Sequence, residues 1–530
     1  MKANESLWSA TASAPTFPPL MAATEVDVVV VGGGITGLTA AYLLAQAGKR
    51  VALVEARRIG SGVSHRSTTH LTEAVDTRYF EIESDFGKEG AKLVAESSRA
   101  AIEKVAGIVN ALSVPCDFRR RPGFLYTERD EEIEMLDKEL EAAKRAGLSL
   151  DRLGMAPLPF PTKLALRFED QAQMHIQRYL DQVALGAQAA GARIYEESRV
   201  IAVEDGEPCI VHLEHGPKVR AKHVFVATHK PLNRVFLQTK VAAYRSYVLA
   251  YPGVTIPDGL FWDTDDPYHY FSSFSVDGTP YLVVGGEDHK TGSTTQTAAC
   301  FDGLDAWTKK RMAVAAPAFR WSAQVEEPVD GLPFIGKNSL SEYVYVATGF
   351  SGNGTTFGTI AAMIVTDLIF GRRNPWADLY AATRIKPVSS AAAYLAENID
   401  FPMHLVSDHV APPEAKTLDD IRPGEGKTVR VKGERLAVYR DPQGSLHAVS
   451  SVCTHLGCVV KFNTAEKTWD CPCHGSRFGV DGTVLDGPAA RPLECKQVEP
   501  TRHRSGSIAA VDTRQAEHEP VPSSRGAAGE

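Results

Sequence analysis

Two short segments near the C-terminal end carry the densest chemistry in the chain: CTHLGC (Cys453–Cys458) and CPCHGSRF (Cys471–Phe478). Together they hold four of the eight cysteines and two histidines. The order is Cys453-x-His455, fifteen residues, then Cys471-x-x-His474. Two thiolates and two imidazoles can hold zinc, but the familiar finger spacing groups Cys with Cys and His with His. Here each segment supplies one of each. That distribution suits a [2Fe–2S] cluster in which one iron keeps two thiolates and the other takes two imidazoles, each loop reaching both irons. Cys458 and Cys473 are then a surplus pair.

A second constellation lies at the other end. Gly32-Gly33-Gly34-Ile35-Thr36-Gly37 fits G-x-G-x-x-G. Gly32 permits a tight turn, Gly34 lets the backbone approach a pyrophosphate, and Gly37 lets helix and strand pack closely. The preceding VDVVVV is a continuous β-branched run, as in a strand buried on both faces. ITGLTAAYLLAQAG follows as a helix closed by Gly48, its N-terminus offering free N–H groups to phosphates. RVALVEA is the next strand, and Glu55 at its end stands where an acid accepts ribose hydroxyls. No second good match exists, which argues against a reductase with two dinucleotide domains. Downstream, VYVATGFSGNGTTFGT runs a strand into Gly349, Gly352 and Gly354 and then a helix, whose dipole favours negative charge on a ring at its N-terminus. Its glycines miss the dinucleotide spacing, so it reads as a second contact to the same cofactor.

These motifs need elements to hold them. A chain of 530 residues exceeds one ordinary core and predicts two or three domains. The formal net charge of −8 argues against nonspecific nucleic-acid binding, which needs a basic footprint. No apolar run approaches the roughly 20 residues of a membrane span, and no signal peptide is visible. A cytoplasmic location is the expectation, with peripheral membrane association left open. Few, clustered cysteines point to metal or redox chemistry over a secreted disulfide scaffold. Residues 1–24 read as an extended Ser/Pro/Ala-rich arm, 86–147 as helices, and 195–350 as many short strands. Thr356–Gly371 reads as a helix ended by glycine. Residues 376–414 read as a proline-bearing connector with a short alanine-rich helix. Hairpin-like strands then mark a small all-β domain over 415–500, and 501–530 read as a disordered tail. No internal repeat is visible.

Residues 25–375 resemble the glycine oxidase/D-amino-acid oxidase-like FAD-dependent oxidoreductases. The matching segments are VVVVGGGITGLTAAYLLAQAGKRVALVEA, GSGVSHRSTTHLT, VFVATH, PVDGLPFIG and VATGFSGNGTTFG. The resemblance implies an α/β Rossmann-like FAD-binding domain with an inserted α+β substrate domain. It places the ADP half of FAD on Gly32, Gly34, Thr36, Gly37, Glu55 and Ala56, with the Val200 backbone at the adenine. Gly349, Gly352, Gly354 and Thr355 would line the flavin, and Ser61–Thr69 would pass along the pyrophosphate and ring. Some relatives attach flavin covalently through a histidine here, but the pattern around His65 and His70 departs from theirs. Residues 415–500 resemble a Rieske domain, with Gly487–Ala489 matching its proline loop. That resemblance implies Cys453, His455, Cys471 and His474 as ligands and a Cys458–Cys473 disulfide, as in respiratory and photosynthetic complexes. No mononuclear-iron domain follows, which argues against an aromatic-ring dioxygenase. Ser476 matches a serine that hydrogen-bonds a bridging sulfide in high-potential relatives; Phe478 stands where those relatives carry a tyrosine.

A flavin accepts two electrons together and a Rieske cluster passes one, so the pair implies a two-to-one converter. The expected reaction oxidises a small amine or amino acid and sends electrons to an external acceptor, protein or quinone. The alternative is an electron-transfer component whose flavin relays electrons between a protein donor and the cluster. Catalytic residues are weakly marked: His289 and Lys290 in GGEDHKTG, Arg245 as a carboxylate holder, and also Tyr244–Tyr247, Pro267–Tyr270 and His175. Cys116, Cys209, Cys300 and Cys495 read as buried free thiols.

Overall fold

The structure, a computed structural model, describes residues 4–232, 235–385 and 411–498. The strand Thr24–Val31 sits inside an eight-stranded sheet, flanked in parallel by Val51–Val54 and Val219–Val226. Val28 and Val30 belong to one hydrophobic cluster, Val29 and Val31 to another. The valine run is therefore buried on both faces, as a central parallel strand requires. Each such side chain contributes about 1.5–3 kcal/mol by leaving water. The helices Ile35–Gln46, Ile176–Ala189 and Gly354–Ile369 pack together in the first of those clusters, so both glycine loops open onto neighbouring helix N-termini.

A second eight-stranded sheet is antiparallel except where Leu260–Trp262 pairs with Arg119–Thr127. Its long strands Val241–Pro252 and Thr279–Lys290 carry the residues predicted to meet substrate. The expectation of helices throughout 86–147 needs correction. Helices cover Tyr79–Leu112 and Ile133–Arg145, but Arg119–Thr127 between them is a strand paired with Leu164–Gln173. Tertiary pairing there outweighs the surrounding helical composition.

The N-terminal segment is more than an extended arm. Ser6 caps a short helix, Leu7–Ala10, and Trp8 is fully buried against His175 and Phe274, its Nε1 donating to the Ser67 carbonyl at 2.7 Å. At the other border, residues 376–385 still pack with the N-terminal body. Tyr380 is fully buried and its carbonyl accepts from the Ile335 N–H at 2.6 Å. The expected alanine-rich helix and the 501–530 tail lie outside the described residues. Cys116 and Cys209 are buried as expected, Cys300 is half-buried, and Cys495 is exposed. Cys495 lies on a two-residue strand, Cys495–Lys496, and only its backbone pairs into the sheet.

The C-terminal domain consists of two four-stranded antiparallel sheets. Phe462, Trp469 and Phe478 fill its core next to Cys453, Cys458 and Cys471. It docks on the flavoprotein body through Glu466, a carboxylate 2 % exposed, which pairs with Arg245 of the body and Arg477 of its own domain. Ser322 donates to the same carboxylate, Asn4 donates to it at 3.0 Å, and Arg66 lies 4.0 Å away. Burial alone would raise this carboxyl, but Arg245, Arg477 and Arg66 outweigh it and hold it at about 2. A depressed carboxyl stabilises above its unfolded value and loses that contribution only as pH falls toward 2, so docking withstands ordinary acidity. Replacing Glu466 by Gln leaves buried Arg245 without a carboxylate and Arg477 with Asp470 alone, a loss of about 3–5 kcal/mol. Thermal unfolding is expected to show the drop and limited proteolysis to cut between the domains; an unchanged melt and digest would remove Glu466 from this role.

Candidate functional site

The dinucleotide loop has the geometry its glycines require. Gly32 adopts φ +107, and a Cβ on Gly37 would run into the Gly32 carbonyl, so helix and strand touch there. Ser64 Oγ accepts from the Ile35 N–H at 3.0 Å and closes the helix start. Glu55 accepts from the Gly33 N–H at 2.7 Å and the Arg57 N–H at 2.8 Å. Burial raises its carboxyl, and these two N–H groups pull it back.

A cavity of about 250 Å³ extends from this loop to Phe350–Thr355. Of the predicted contacts, Gly32, Gly34, Thr36, Glu55, Ala56, Val200, Gly352, Gly354 and Thr355 line it. Gly37, Ser61 and Gly349 do not; Gly37 serves packing, and Ser61 Oγ donates to the Arg58 carbonyl at 2.6 Å. Ser64, Ser67 and Thr68 of the Ser61–Thr69 stretch line the cavity as well, but sequence reasoning missed Arg199, His229 and Lys230, and above all Leu485–Gly487, Ala489 and Ala490 of the C-terminal domain, which wall the same cavity. The proline-loop match covered Gly487–Ala489, and nothing local showed that this stretch also walls the cavity.

The far end of the cavity is walled by Asp76, His70, Trp262, Tyr268 and Tyr270. Asp76 Oδ2 accepts from the Gly352 N–H at 2.5 Å, and a Cβ on Gly352 would lie 2.9 Å from both Asp76 Oδ2 and the Tyr268 hydroxyl. Glu327 accepts from Ser351 Oγ at 2.8 Å. Burial first, then the nearby Asp76, push Glu327 up to about 8; burial lifts Asp288 to about 7. Among the other candidates, a β-bulge between Arg245 and Tyr247 splits the YRSY segment three ways. Arg245 turns to the domain junction, Ser246 Oγ reaches the Tyr270 hydroxyl at 2.8 Å, and the Tyr247 hydroxyl meets His289 Nε2 at 2.8 Å. Arg245 is thus an interdomain anchor, with no place at a substrate carboxylate. His289 and Lys290 do not line the cavity, and Gly292 beyond them packs on Pro472 of the ligand loop. His175 caps the helix Ile176–Ala189 by accepting from the Arg178 N–H. His65 Nδ1 lies 2.6 Å from the Gly60 carbonyl and His65 is not among the lining residues, whereas His70 is.

The two metal-site loops close identically. Cys453 N–H donates to the Cys458 carbonyl at 2.8 Å, and Gly457 N–H to the Cys453 carbonyl at 3.0 Å. Cys471 N–H donates to the Ser476 carbonyl at 2.8 Å, and Gly475 N–H to the Cys471 carbonyl at 3.0 Å. Gly457 and Gly475 take φ +86 and +67, which allows each return. The loops are clamped by a Cys458–Cys473 disulfide with Cα atoms 6.6 Å apart. Cys453 and Cys471 are buried, and the His455 and His474 rings stand 5.1 Å apart and perpendicular. Two thiols facing two imidazoles across one pocket fit a Rieske donor set.

Residues 27–368 match the FAD dependent oxidoreductase (DAO) family, and residues 413–497 match the Rieske [2Fe-2S] domain. The chain belongs to the DAO family of FAD-dependent oxidoreductases. Its cofactors are FAD and a Rieske cluster, and both cradles suit them: the glycine loop leaves the space that Cβ atoms would fill, and the loop ligands have the right chemistry. YhfW of Bacillus subtilis (strain 168), named for a Rieske 2Fe-2S iron-sulfur protein, is 34% identical over 94% of this chain and 98% of its own. Gamma-glutamylputrescine oxidoreductase of Escherichia coli (strain K12) is 26% identical over 67% of this chain and 86% of its own. Glycine oxidase from Geobacillus kaustophilus shares the fold with TM-score 0.58 and 18% identity, covering 68% of this chain and all of that one. Among the described residues, no helix of the oxidoreductase is long and apolar enough to cross a membrane.

Two outcomes follow from this geometry. Because Glu327 titrates near 8 and not at the ordinary 4.5, the folded state holds a proton that the unfolded chain releases. Stability therefore falls as pH rises from 4.5 to about 8 and levels off above that. Melting curves of Glu327→Gln across that range should show a flatter slope, and an unchanged slope would refute the assignment. Phe478 is fully buried beside the thiols and offers no donor to the sulfurs. Phe478→Tyr should shift the cluster's midpoint potential upward in a spectroscopic redox titration; a static potential would count against this reading.

Proposed function

We propose that the protein oxidises a small amine or amino acid and passes the electrons singly through the Rieske cluster to an external acceptor. One observation carries this reading: the Rieske domain forms part of the wall of the FAD cavity. Its Leu485–Gly487 stretch lines that cavity, and Arg199, at the adenine end, donates to the Val484 carbonyl at 3.0 Å. Lys230, also in the lining, donates to the backbone carbonyl of the ligand His474 and pairs with Glu326 at 3.0 Å. Gln324 Nε2 donates to the Gly475 carbonyl at 3.1 Å.

When bound, FAD supplies two-electron acceptance from a C–H bond and the cluster supplies one-electron transfer. The chain's own part is positioning. Lys230 and Gln324 hold the Cys471–Ser476 loop against the cavity, and Glu466 with its arginines keeps the domain from swinging away. His474 is 9% exposed and its carbonyl is held by Lys230 of the cavity lining, while His455 is half-buried. This asymmetry supports a route inward at His474 and outward at His455. The amine half of the proposal draws on the E. coli relative, whose name specifies a glutamylated polyamine.

Anaerobic titration of the holoprotein with a panel of amines and amino acids tests the proposal, with flavin bleaching and cluster reduction followed separately. One panel member should bleach the flavin and then reduce the cluster without an added donor protein. If none does, the substrate-oxidising reading fails. In His455→Ala the flavin should still bleach while electron output to a one-electron acceptor falls; undiminished output would end the relay through the cluster.

A further inference from the structure

The cavity is electrically divided. Its lining cations, Arg57, Arg66, Arg199 and Lys230, all lie toward the nucleotide and Rieske side, where each has a partner. Arg57 and Arg66 donate to the Ser61 and Ser322 carbonyls, Arg199 to that of Val484, and Lys230 pairs with Glu326. The opposite end is lined by a carboxylate and aromatic rings; a buried cation near it, Arg121 behind His70, is outside the lining and is held by the Ser273 carbonyl at 3.1 Å and by Asp258 at 3.2 Å. Asp76 lines that end; Glu327 stands behind Ser351, and Asp288 beside Ser246 keeps its Oδ1 buried without a partner among the described residues. The Tyr268 and Tyr270 rings lie 5.6 Å apart, and His70 sits edge-on to Trp262 at 5.3 Å. His70 is 8% exposed, its Nε2 lies 3.1 Å from Ser272 Oγ, and its Nδ1 has no partner among the described residues.

We propose that the end walled by Asp76, His70, Trp262, Tyr268 and Tyr270 is a subsite for an organic ammonium group. This inference rests on the substrate-oxidising reading and narrows it: the substrate is a cationic amine, not an amino acid held by its carboxylate. Three features point the same way. Aromatic faces attract organic cations, and a carboxylate at the same wall adds charge pairing. A substrate carboxylate would meet Asp76, with Glu327 and Asp288 close behind, and no lining cation at that end; the sequence's candidate for that role, Arg245, is bound to Glu466. A bare calcium or magnesium ion is disfavoured because it takes about six or more oxygen ligands, and this wall offers one carboxylate and two neutral tyrosine hydroxyls. Burial raises the Asp76 carboxyl, and burial together with the nearby Asp76 raises that of Glu327, so a cation at this end favours the charged form of both.

The test uses the FAD-loaded, cluster-loaded protein and three probes of one size: pentylammonium, 1-pentanol and pentanoate. Binding is read from the flavin difference spectrum and from calorimetry, not from turnover. Pentylammonium should bind about tenfold or more tightly than either other probe, a preference within reach of one charge pair plus one aromatic face. Asp76→Asn should remove most of that preference and leave 1-pentanol binding unchanged. Trp262→Leu provides a second probe of the same wall, with both variants compared at equal FAD content. Pentanoate binding as tightly as pentylammonium overturns the subsite, as does a preference that survives both substitutions. An ammonium probe that binds as expected while no amine ever bleaches the flavin upholds the subsite and sinks the oxidation reading. An amino acid that bleaches the flavin, with no competition from pentylammonium, does the reverse.

Discussion

The arrangement of this protein depends on one buried carboxylate. Glu466 sits on the Rieske domain, yet it is enclosed by Arg245 and Ser322 from the flavoprotein sheet, Arg477 from its own sheet, and Asn4 from the chain's first residues. Isolated buried charges are costly, and a buried pair contributes more to specificity of arrangement than to stability. Here the cost is met by several partners on different segments, so the carboxylate is satisfied only when those segments meet in one geometry. That geometry presents the ligand loop Cys471–Ser476 and the strand Val484–Asp486 to the flavin cavity. A looser attachment would leave the same two domains as neighbours without a common wall.

Symmetry and asymmetry then divide the labour. The two ligand loops repeat one backbone design, and the disulfide ties them, so the four donors are held alike. Their surroundings differ. The backbone carbonyl of His474 is held by Lys230 of the flavoprotein body and its side chain is buried, whereas His455 is half-buried. The cavity shows a comparable split, with guanidinium and ammonium groups at the nucleotide end and carboxylates among aromatic rings at the other. The lysine and arginines of the lining, Asp76 and the two ligand imidazoles sit on loops or turns outside the strands, and the bulge at Arg245–Tyr247 is where one strand serves the junction, the cavity and the core in succession.

Local motifs were the most legible part of the sequence. The valine run, the glycine loop, Glu55 and the two Cys/His knots each state their geometry within a few residues, because tight turns and metal donors tolerate few substitutes. Boundaries were less so: the strand Arg119–Thr127 owes its conformation to a partner some forty residues away, and Trp8 is hidden by elements that composition near it does not announce. The candidates His289, Lys290 and Arg245 sat on the right strands but pointed elsewhere, since a two-residue period decides the face and a single bulge resets it. The contribution of Leu485–Ala490 to the flavin cavity was illegible in principle. It arises from docking, and no pattern inside either domain encodes the partner surface.

That last feature bears on how the molecule is made. Synthesis runs from the N-terminus, and domains tend to fold as they emerge. The flavoprotein body thus leaves the ribosome with part of its cavity wall missing, because Leu485–Gly487, Ala489 and Ala490 are encoded more than a hundred residues downstream of residue 368, in the Rieske domain. The site of one cofactor is therefore completed only by the domain that carries the other.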